Sequence, residues 1–481
     1  MKESLRKNYI YNMIFQLIAI LAPFITTPYV SRVLGADGIG EYSYGLSVVT
    51  YFAIFGTLGI TTYGQIEIAK IRDNQKQLKC LITEVMAARV LTMLLSCITY
   101  ISVIALSNAH SKMLLVLLLY LLSQISDVSW ILQGLEEFQS LVIRNIIIKI
   151  VNIVMLFLFI QNRTDLYLYA GIMQGTVFVG NFFLWPYVWK YFLPSIFSIN
   201  VLLKHWRASM AYFIPTVATT IYTVLDKSMI GWITHSDFQN GFYEQAHKIE
   251  QILVVVLTSL GTVTLPRITN MFNKHDDKGI KIIMKKTITL VLFISIPMCF
   301  GLIAIADRFI PLFLGKGYNE CIILTQIFSL LIIVVGLDNT IGRQCLMAAN
   351  RQNLFNKGVI WGAIVNVCLN LILIPKLGAI GAAISSVCAE LLILVIFVYY
   401  SKDLLDFSIK KSLVNYLVSA TLMFILLKTL ELKLNDSIFS IIVIITAGVC
   451  FYIIGLLIMK ESLAKEILIQ SINFLIKRKH F

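Results

Sequence analysis

The chain has 481 residues, of which 58% are hydrophobic and 14% are charged, and its mean hydropathy is +0.82. This composition excludes a soluble globular protein, because too few polar residues are available to cover its surface. The formal net charge of +14 would suit a nucleic-acid-binding protein, but the basic residues are spread over many loops and form no single basic domain.

Long apolar segments follow one another from residue 10 to residue 459, and the loops between them are short. A helix needs about 20 mostly apolar residues to cross the bilayer core, where its backbone must satisfy its own hydrogen bonds. The sequence therefore predicts an all-α integral membrane protein with about fourteen transmembrane helices. These lie near residues 10–33, 42–66, 81–106, 112–135, 138–160, 166–189, 206–233, 240–266, 284–306, 320–347, 355–374, 379–400, 411–430 and 438–459.

Prolines interrupt three of the predicted spans. Pro23 and Pro28 lie in the first, Pro215 lies in the seventh and Pro297 lies in the ninth. Each proline removes one helical hydrogen bond, so each position is either a static kink or a point where the helix bends during function. Both interpretations stay open at this point.

Lys and Arg residues concentrate in every second loop. With the N-terminus assigned to the cytoplasm, the loops and span ends on that side hold 28 Lys and Arg residues, and those on the other side hold nine. This threefold excess is typical of the cytoplasmic side of membrane proteins, so we expect both termini to face the cytoplasm. The membrane topology and contact with anionic lipid headgroups explain the excess of basic over acidic residues, so nucleic acid is not expected as a partner.

The two halves of the chain share short motifs in the same order. Three pairs recur at an offset of 201 to 214 residues: Gly40-Glu41-Tyr42 with Gly241-Phe242-Tyr243, Thr57-Leu58-Gly59 with Ser259-Leu260-Gly261, and Gln133-Gly134-Leu135-Glu136 with Met347-Ala348-Ala349-Asn350. Such duplication is typical of transporters, whose site lies between the repeats. We therefore expect two six-helix lobes in parallel repeat, residues 1–200 and 201–403, followed by two further helices and a cytoplasmic tail in residues 404–481.

A longer motif near the N-terminus resembles a known family. The stretch Pro28-Tyr29-Val30-Ser31-Arg32-Val33-Leu34-Gly35, followed by Gly38-x-Gly40-x-Tyr42, is similar to the N-terminus of Wzx-type flippases. These exporters of polysaccharide repeat units belong to a superfamily that also holds multidrug extruders and the lipid II flippase, and the resemblance covers the whole chain.

This resemblance implies a function. Members of the family move undecaprenyl-diphosphate-linked oligosaccharide from the inner to the outer leaflet of the bacterial cytoplasmic membrane, for O-antigen, capsule or exopolysaccharide synthesis. The resemblance further implies two lobes around a central cationic cavity that opens alternately to each side. Membrane lipids and the polysaccharide polymerase machinery are the other partners that it suggests.

Five cations within or near the spans are candidates for binding the substrate's diphosphate. Charged side chains inside a bilayer cost roughly 2.5 kcal/mol or more, so they usually face a cavity or a partner. The candidates are Arg89, Lys149, Lys248, Lys227 and Arg343. The first three lie deepest, and we expect them to face one water-filled space between the lobes. Lys227 can instead pair with Asp226 or reach the interface, and Arg343, like Arg144, also fits an interfacial position.

Acidic side chains lie deep in the spans as well, and intramembrane acids often carry a coupling proton or Na⁺ in transporters. Glu250 is one of them, and the candidates for coupling are Asp127, Asp226, Glu244, Asp338 and Glu390. Glu244 and Lys248 are four residues apart on one helix face, so a simple ion pair is the alternative for Glu244. The sequence does not choose among these acids.

No catalytic motif stands out, so we expect a transporter and not an enzyme. The chain lacks the G-x-x-x-x-G-K-[ST] phosphate loop of ATP-driven pumps, and its connections are too short for an integral-membrane polymerase or glycosyltransferase. Its eight cysteines are scattered, which indicates neither a disulfide framework nor a metal site. We expect no cofactor, and coupling to an H⁺ or Na⁺ gradient or to the membrane potential. The alternative function is a cation-coupled multidrug or metabolite antiporter of the same superfamily.

Overall fold

The computed structural model of the protein describes the backbone of residues 2–106, 110–193, 198–274, 276–406, 408–466 and 469, and it describes side chains from residue 22 onwards except at 214–216, 218, 219, 221–223, 260–263, 265–267 and 273. Within these ranges all regular structure is helical and no strand occurs. The predicted all-α class is therefore confirmed. Ten segments of the described part are long and apolar enough to cross a membrane, so the chain is a multi-pass membrane protein.

Sixteen α-helices occur in the described residues, and each of the fourteen predicted spans falls on one or two of them. They are α1 Lys2–Thr57, α2 Ile60–Ile71, α3 Gln75–Leu106, α4 Ser111–Ser126, α5 Ser129–Gly134, α6 Phe138–Phe159, α7 Leu166–Phe182, α8 Trp185–Val188, α9 Ile199–Thr234, α10 Asp237–Asn273, α11 Asp277–Leu314, α12 Glu320–Asp338, α13 Gln352–Leu377, α14 Ala379–Ser401, α15 Lys410–Lys433 and α16 Ile438–Ile458. Short 3₁₀ turns lie at Arg163–Asp165 and Trp189–Tyr191, and a nine-residue π-helix, Asn339–Met347, continues α12.

The chain divides into two compact units, Met1–Glu244 and Gln245–Phe481. The boundary falls within α10. The division after residue 200 that the repeats indicate stays a prediction.

In the first unit, α1 joins the first two predicted spans. Its one residue with non-helical torsions is Gly35, with φ 74° and ψ 170°, a conformation that glycine adopts without the steric cost of a Cβ atom. Pro23 and Pro28 lie inside α1 without such a break, and the side chain of Pro215 lies outside the described residues. The break in α1 therefore lies at Gly35, between the first two predicted spans, and not at either proline.

The core of the first unit surrounds Trp130, a fully buried side chain on α5. A Cβ atom on Gly64 of α2 would lie 2.5 Å from the Trp130 ring, so only glycine lets α2 and α5 pack this closely. On α3, in contrast, Leu94, Leu95 and Ile98 are about half exposed or more. Such an exposed apolar face suits a helix that contacts lipid.

In the second unit, α11 packs against α12, α15 and α16 around a core that includes Tyr416 and Tyr452. Pro297 has no N–H, so the carbonyl of Phe293, four residues earlier, loses its helical donor. The hydroxyl of Tyr452 donates to that carbonyl at 3.1 Å. Because a second helix satisfies the carbonyl that Pro297 frees, the structure favours a static kink at this proline.

Candidate functional site

Two arginines surround one aspartate inside the first unit. Arg89 on α3 is fully buried; its Nη2 donates to the Gln124 carbonyl at 2.7 Å and lies 3.7 Å from Oδ2 of Asp127. Nη2 of Arg144, on α6, lies 4.0 Å from the other Asp127 oxygen. Nη1 of Arg144 donates to Asn181 at 3.0 Å. Two guanidinium groups therefore share one carboxylate, and we call Arg89, Asp127 and Arg144 the arginine cluster.

The position of Asp127 follows from the break between α4 and α5. Its backbone is extended, and its carboxylate accepts hydrogen bonds from the N–H and hydroxyl of Ser129, both at 3.0 Å. Arg89 is the less satisfied partner, because its Nε and Nη1 are buried without a hydrogen-bond acceptor in the described structure. Nε of Arg144 is likewise buried without a hydrogen-bond acceptor in the described structure. The arginine cluster thus carries an excess of one positive charge and buried N–H groups that can still donate.

Arg144 is a residue that the sequence interpretation did not select for the binding site. The loop count assigned it to the cytoplasmic interface, which stays a prediction, and the structure places it, 9% exposed, in the arginine cluster. Its place several residues inside the fifth predicted span was the signal that could have separated it from the interfacial arginines.

A second polar group in the first unit lies where α1, α9 and α10 meet. Nζ of Lys227 lies 2.6 Å from Oε2 of Glu244, and the hydroxyl of Ser43 donates to the same oxygen at 2.9 Å. Asp226 instead accepts a hydrogen bond from the hydroxyl of Tyr243 at 2.5 Å. The alternative in which Lys227 pairs with its neighbour Asp226 is therefore not found, because α9 directs the lysine towards Glu244 of α10.

The repeated glycines come into direct contact at this point. A Cβ atom on Gly40 would lie 1.8 Å from the Asp237 carbonyl oxygen, and one on Gly241 would lie 1.8 Å from the carbonyl oxygen of Ala36. Hydroxyls of Ser47 and Ser228 hydrogen-bond nearby at 2.8 Å. The motif that the two repeats share therefore forms a close backbone crossing of α1 with α10, which we call the glycine crossing.

A histidine that the sequence interpretation did not single out lies beside the glycine crossing. Nδ1 of His110 is 3.7 Å from Glu41, and its Nε2 is 3.6 Å from Asp237. The nearby Glu41 carboxylate raises the pKa of His110 above its ordinary value, against a smaller opposing effect of burial. Burial also raises the pKa of the Asp237 carboxyl. His110 therefore connects α1 with α10 when it is protonated.

The other predicted site residues are more dispersed. Lys149 is half-buried on α6 without an ion pair among the described residues, and Lys248 is half-buried on α10. Arg343 is exposed in the π-helix. Asp338 is buried at the end of α12, within hydrogen-bonding reach of the half-buried Glu390 on α14. A common cavity for the five cations stays a prediction.

Comparisons with known proteins give the family and the fold. The profile of the family described as polysaccharide biosynthesis protein matches residues 5–272. A protein of Escherichia coli K12 named for O-antigen transport is 24% identical over 401 residues, which cover 82% of this chain and 95% of that protein. The capsular polysaccharide biosynthesis protein CapF of Staphylococcus aureus is 21% identical and covers 82% of this chain and 99% of its own.

Solved structures show the same fold. The lipid II flippase MurJ in an inward closed conformation superposes with a TM-score of 0.78 at 16% identity, over 95% of this chain and 99% of the flippase. An inward-facing multidrug transporter of the MATE family follows with a TM-score of 0.61 at 12% identity, over 80% of this chain and 97% of the transporter. Since the family profile covers more than half of the 481 residues, the chain belongs to the polysaccharide biosynthesis protein family.

Proposed function

We propose that this protein is a flippase that moves oligosaccharides linked to a polyprenyl diphosphate from the inner to the outer leaflet of a bacterial cytoplasmic membrane. The family match over residues 5–272 carries the proposal. The relative named for O-antigen transport supports it, because the similarity extends over 95% of that protein. The chain is a transporter and not an enzyme, in line with its transporter relatives and its all-helical membrane fold.

The arginine cluster suits the anionic part of such a substrate. A guanidinium group binds a phosphate through two parallel N–H groups, and such charge-assisted hydrogen bonds are stronger than neutral ones. In the described part of the chain, Arg89 and Arg144 have buried N–H groups without an acceptor, and Asp127 is the only carboxylate within 4.0 Å of their guanidinium groups. We propose that the diphosphate competes with Asp127 for these guanidinium groups when the transport path opens. Lys149, Lys248, Lys227 and Arg343 would add positive charge along that path.

Several finer features belong to the same proposal. The excess of Lys and Arg in alternate loops favours both termini in the cytoplasm. Transport would proceed by alternating access and would need no cofactor, with an H⁺ or Na⁺ gradient or the membrane potential as the driving force. The polysaccharide polymerase machinery would take up the exported repeat unit.

A deletion strain tests the proposal. Without the protein and any related exporter, we expect lipid-linked oligosaccharide to accumulate on the cytoplasmic leaflet and the surface polymer to disappear. Complementation with wild-type protein should restore the polymer. Arg89→Ala should fail to restore it, whereas the control Arg351→Ala should succeed, because Arg351 makes a largely exposed pair with Asp403 and donates to the Tyr400 carbonyl, and neither partner belongs to the arginine cluster. Normal surface polymer in the deletion strain would refute this function.

The alternative is a cation-coupled drug or metabolite antiporter. The fold that the chain shares with a MATE family transporter is the observation behind it. Increased drug susceptibility of the deletion strain, with unchanged surface polymer, would support this alternative.

A further inference from the structure

The first turns of α9 are bound to α2 and α3 through a buried histidine. His205 is 4% exposed; its Nε2 lies 3.0 Å from Oε2 of Glu84 on α3, and its Nδ1 lies 2.9 Å from the hydroxyl of Tyr63 on α2. A carboxylate only accepts hydrogen bonds, so Nε2 carries the hydrogen, and in a neutral ring Nδ1 accepts from the Tyr63 hydroxyl. One imidazole ring therefore satisfies polar groups on two other helices.

Two further contacts extend this attachment along α9. Nε1 of Trp206 donates to the Ala88 carbonyl of α3 at 3.2 Å. About one turn later, Ser209 is fully buried, and its carbonyl oxygen lies 2.7 Å from the position of a Cβ atom added to Gly59. Only glycine therefore lets the connection between α1 and α2 lie against α9. We define the α9 clamp as His205, Trp206 and Ser209 of α9 together with Gly59, Tyr63, Glu84 and Ala88.

The α9 clamp holds the turn of α3 that carries Arg89. Ala88 immediately precedes Arg89, and Glu84 lies about one turn earlier, so α9 is attached to α3 directly beside the arginine cluster. Arg89 itself is fully buried, and its Nε and Nη1 have no acceptor in the described structure. A fully buried guanidinium group can meet a substrate only if its surroundings move. The α9 clamp restrains that movement.

Two features distinguish the α9 clamp from permanent core packing. The opposite face of the same turns of α9 is exposed at Lys204, Arg207 and Met210, so these turns are held from one side. The connection that lies against Ser209 contains Leu58 with φ 47°, a left-handed conformation that is costly for a residue with a Cβ atom and that recurs in switch regions. A helix held from one side can move away without opening a core on its other side.

We propose that the α9 clamp is a releasable latch on the arginine cluster. When the latch is closed, it holds the α3 turn so that Arg89 stays buried. When α9 moves away from α2 and α3, this turn is free and Arg89 becomes accessible to an anionic ligand. The identity of that ligand, a polyprenyl diphosphate, rests on the proposed function, whereas the latch exists in the protein without substrate. Because linkage is reciprocal, a ligand that binds the released Arg89 also favours the open latch.

Alkylation of a buried cysteine measures opening of the latch without any transport assay. Ser209→Cys is introduced into the full-length protein after its eight native cysteines are replaced, and its reaction with N-ethylmaleimide is followed by mass spectrometry. We expect His205→Ala to raise the alkylation rate by about tenfold or more, since it removes a hydrogen bond to a charged group. His205→Gln should raise the rate less, because its amide can still donate to Glu84.

Two controls separate opening of the latch from unfolding. Lys204→Ala, at the exposed residue before His205, should leave the alkylation rate unchanged. Ser385→Cys places a second reporter at a fully buried position on α14 in the second unit, and its slow reaction should not change in His205→Ala. An unchanged rate at Ser209→Cys in His205→Ala would overturn the latch. Equal acceleration at both reporters would show general unfolding and would overturn it as well.

Phenylglyoxal, which modifies accessible arginine side chains, tests the coupling to the arginine cluster. Combined with peptide mapping, it should modify Arg89 about fivefold faster or more in His205→Ala than in the wild type, within the usual range of coupling between sites. Arg351, which is already partly exposed in its pair with Asp403, should react equally in both proteins. Equal modification of Arg89 in both proteins would overturn the coupling, even if the latch opens.

Undecaprenyl diphosphate is the probe for the ligand. Added to the protein with the Ser209→Cys reporter and an intact His205, it should accelerate alkylation by about fivefold or more, because it binds the released Arg89. Arg89→Ala should remove this acceleration. If His205→Ala exposes Arg89 but undecaprenyl diphosphate has no effect, the latch is supported and the diphosphate is refuted as the ligand of the arginine cluster. This outcome distinguishes failure of the proposed function from failure of the latch.

Discussion

Alanine at Gly241 should separate α1 from α10. An added Cβ atom would lie 1.8 Å from the Ala36 carbonyl oxygen, whereas real Cβ contacts are essentially never below 3.0 Å, so the helices must move apart by about 1.2 Å. The obstructing atom belongs to the backbone, and no side-chain rotamer can relieve the contact. Overpacking of this kind costs about 1–3 kcal/mol. In the variant, the ratio of molecules with the glycine crossing intact to molecules with it separated should therefore be about 5- to 150-fold lower than in the wild type.

A disulfide crosslink measures this population. The hydroxyls of Ser47 on α1 and Ser228 on α9 lie 2.8 Å apart, and a two-residue connection joins α9 to α10, so a shift of α10 away from α1 should be felt at this pair. Cysteines at these positions should crosslink in a background without native cysteines. We expect Gly241→Ala to lower the crosslinking rate at least fivefold. Gly171→Ala is the matched control. Gly171 also lies inside an α-helix, α7, but its added Cβ atom would meet only Val116, at an ordinary contact distance of 3.9 Å. Equal crosslinking rates in both variants would refute the reasoning.

The remaining predictions concern pH, charge and topology. The raised pKa of His110 means that its ion pairs stabilise the fold fully below the unfolded value of about 6.5 and are lost as the pH rises through the folded value. The difference in thermal stability between wild type and His110→Gln should therefore shrink from pH 5.5 to pH 8.5, and a constant difference would contradict this. Arg89→Ala should slow substrate translocation by roughly 10- to 100-fold, the loss expected for a charged hydrogen bond, with unchanged membrane insertion. Arg89→Lys should restore part of the rate if charge alone suffices, whereas a rate as low as that of Arg89→Ala would show that bidentate geometry is required. Reporter fusions after residues 75 and 434 should lie in the cytoplasm and outside it, respectively, and the same side for both would contradict the topology.

The helical membrane fold could be predicted from the sequence, because about 20 apolar residues have few alternatives to a transmembrane helix. The exact positions at which these helices break could not be predicted from the sequence. The break at Gly35 lies between the first two predicted spans, but hydropathy does not report backbone torsions and so could not locate it to one residue. The turn at Leu58 and Gly59, both with positive φ, falls inside the second predicted span.

The charged residues show a similar limit. Depth in a span marked Arg89 and Asp338 as charges that require a structural reason. Arg89 was expected to face a water-filled space, whereas it is fully buried, and Asp338 is buried as well. Their partners could not be derived, because Arg89 meets Asp127 and Asp338 meets Glu390 only through helix packing. The internal repeat identified Gly40 and Gly241 as equivalent, but not that the two residues touch each other.

Translocation by the purified protein tests the central claim most directly. The protein would be reconstituted into vesicles with a fluorescent oligosaccharide linked to undecaprenyl diphosphate, and a membrane-impermeant quencher would report the leaflet that holds the sugar. We predict that wild-type protein exposes the sugar to the quencher on the second leaflet, and that Arg89→Ala does so much more slowly than Arg351→Ala. Wild-type vesicles in which the sugar stays as protected as in protein-free vesicles would contradict the account.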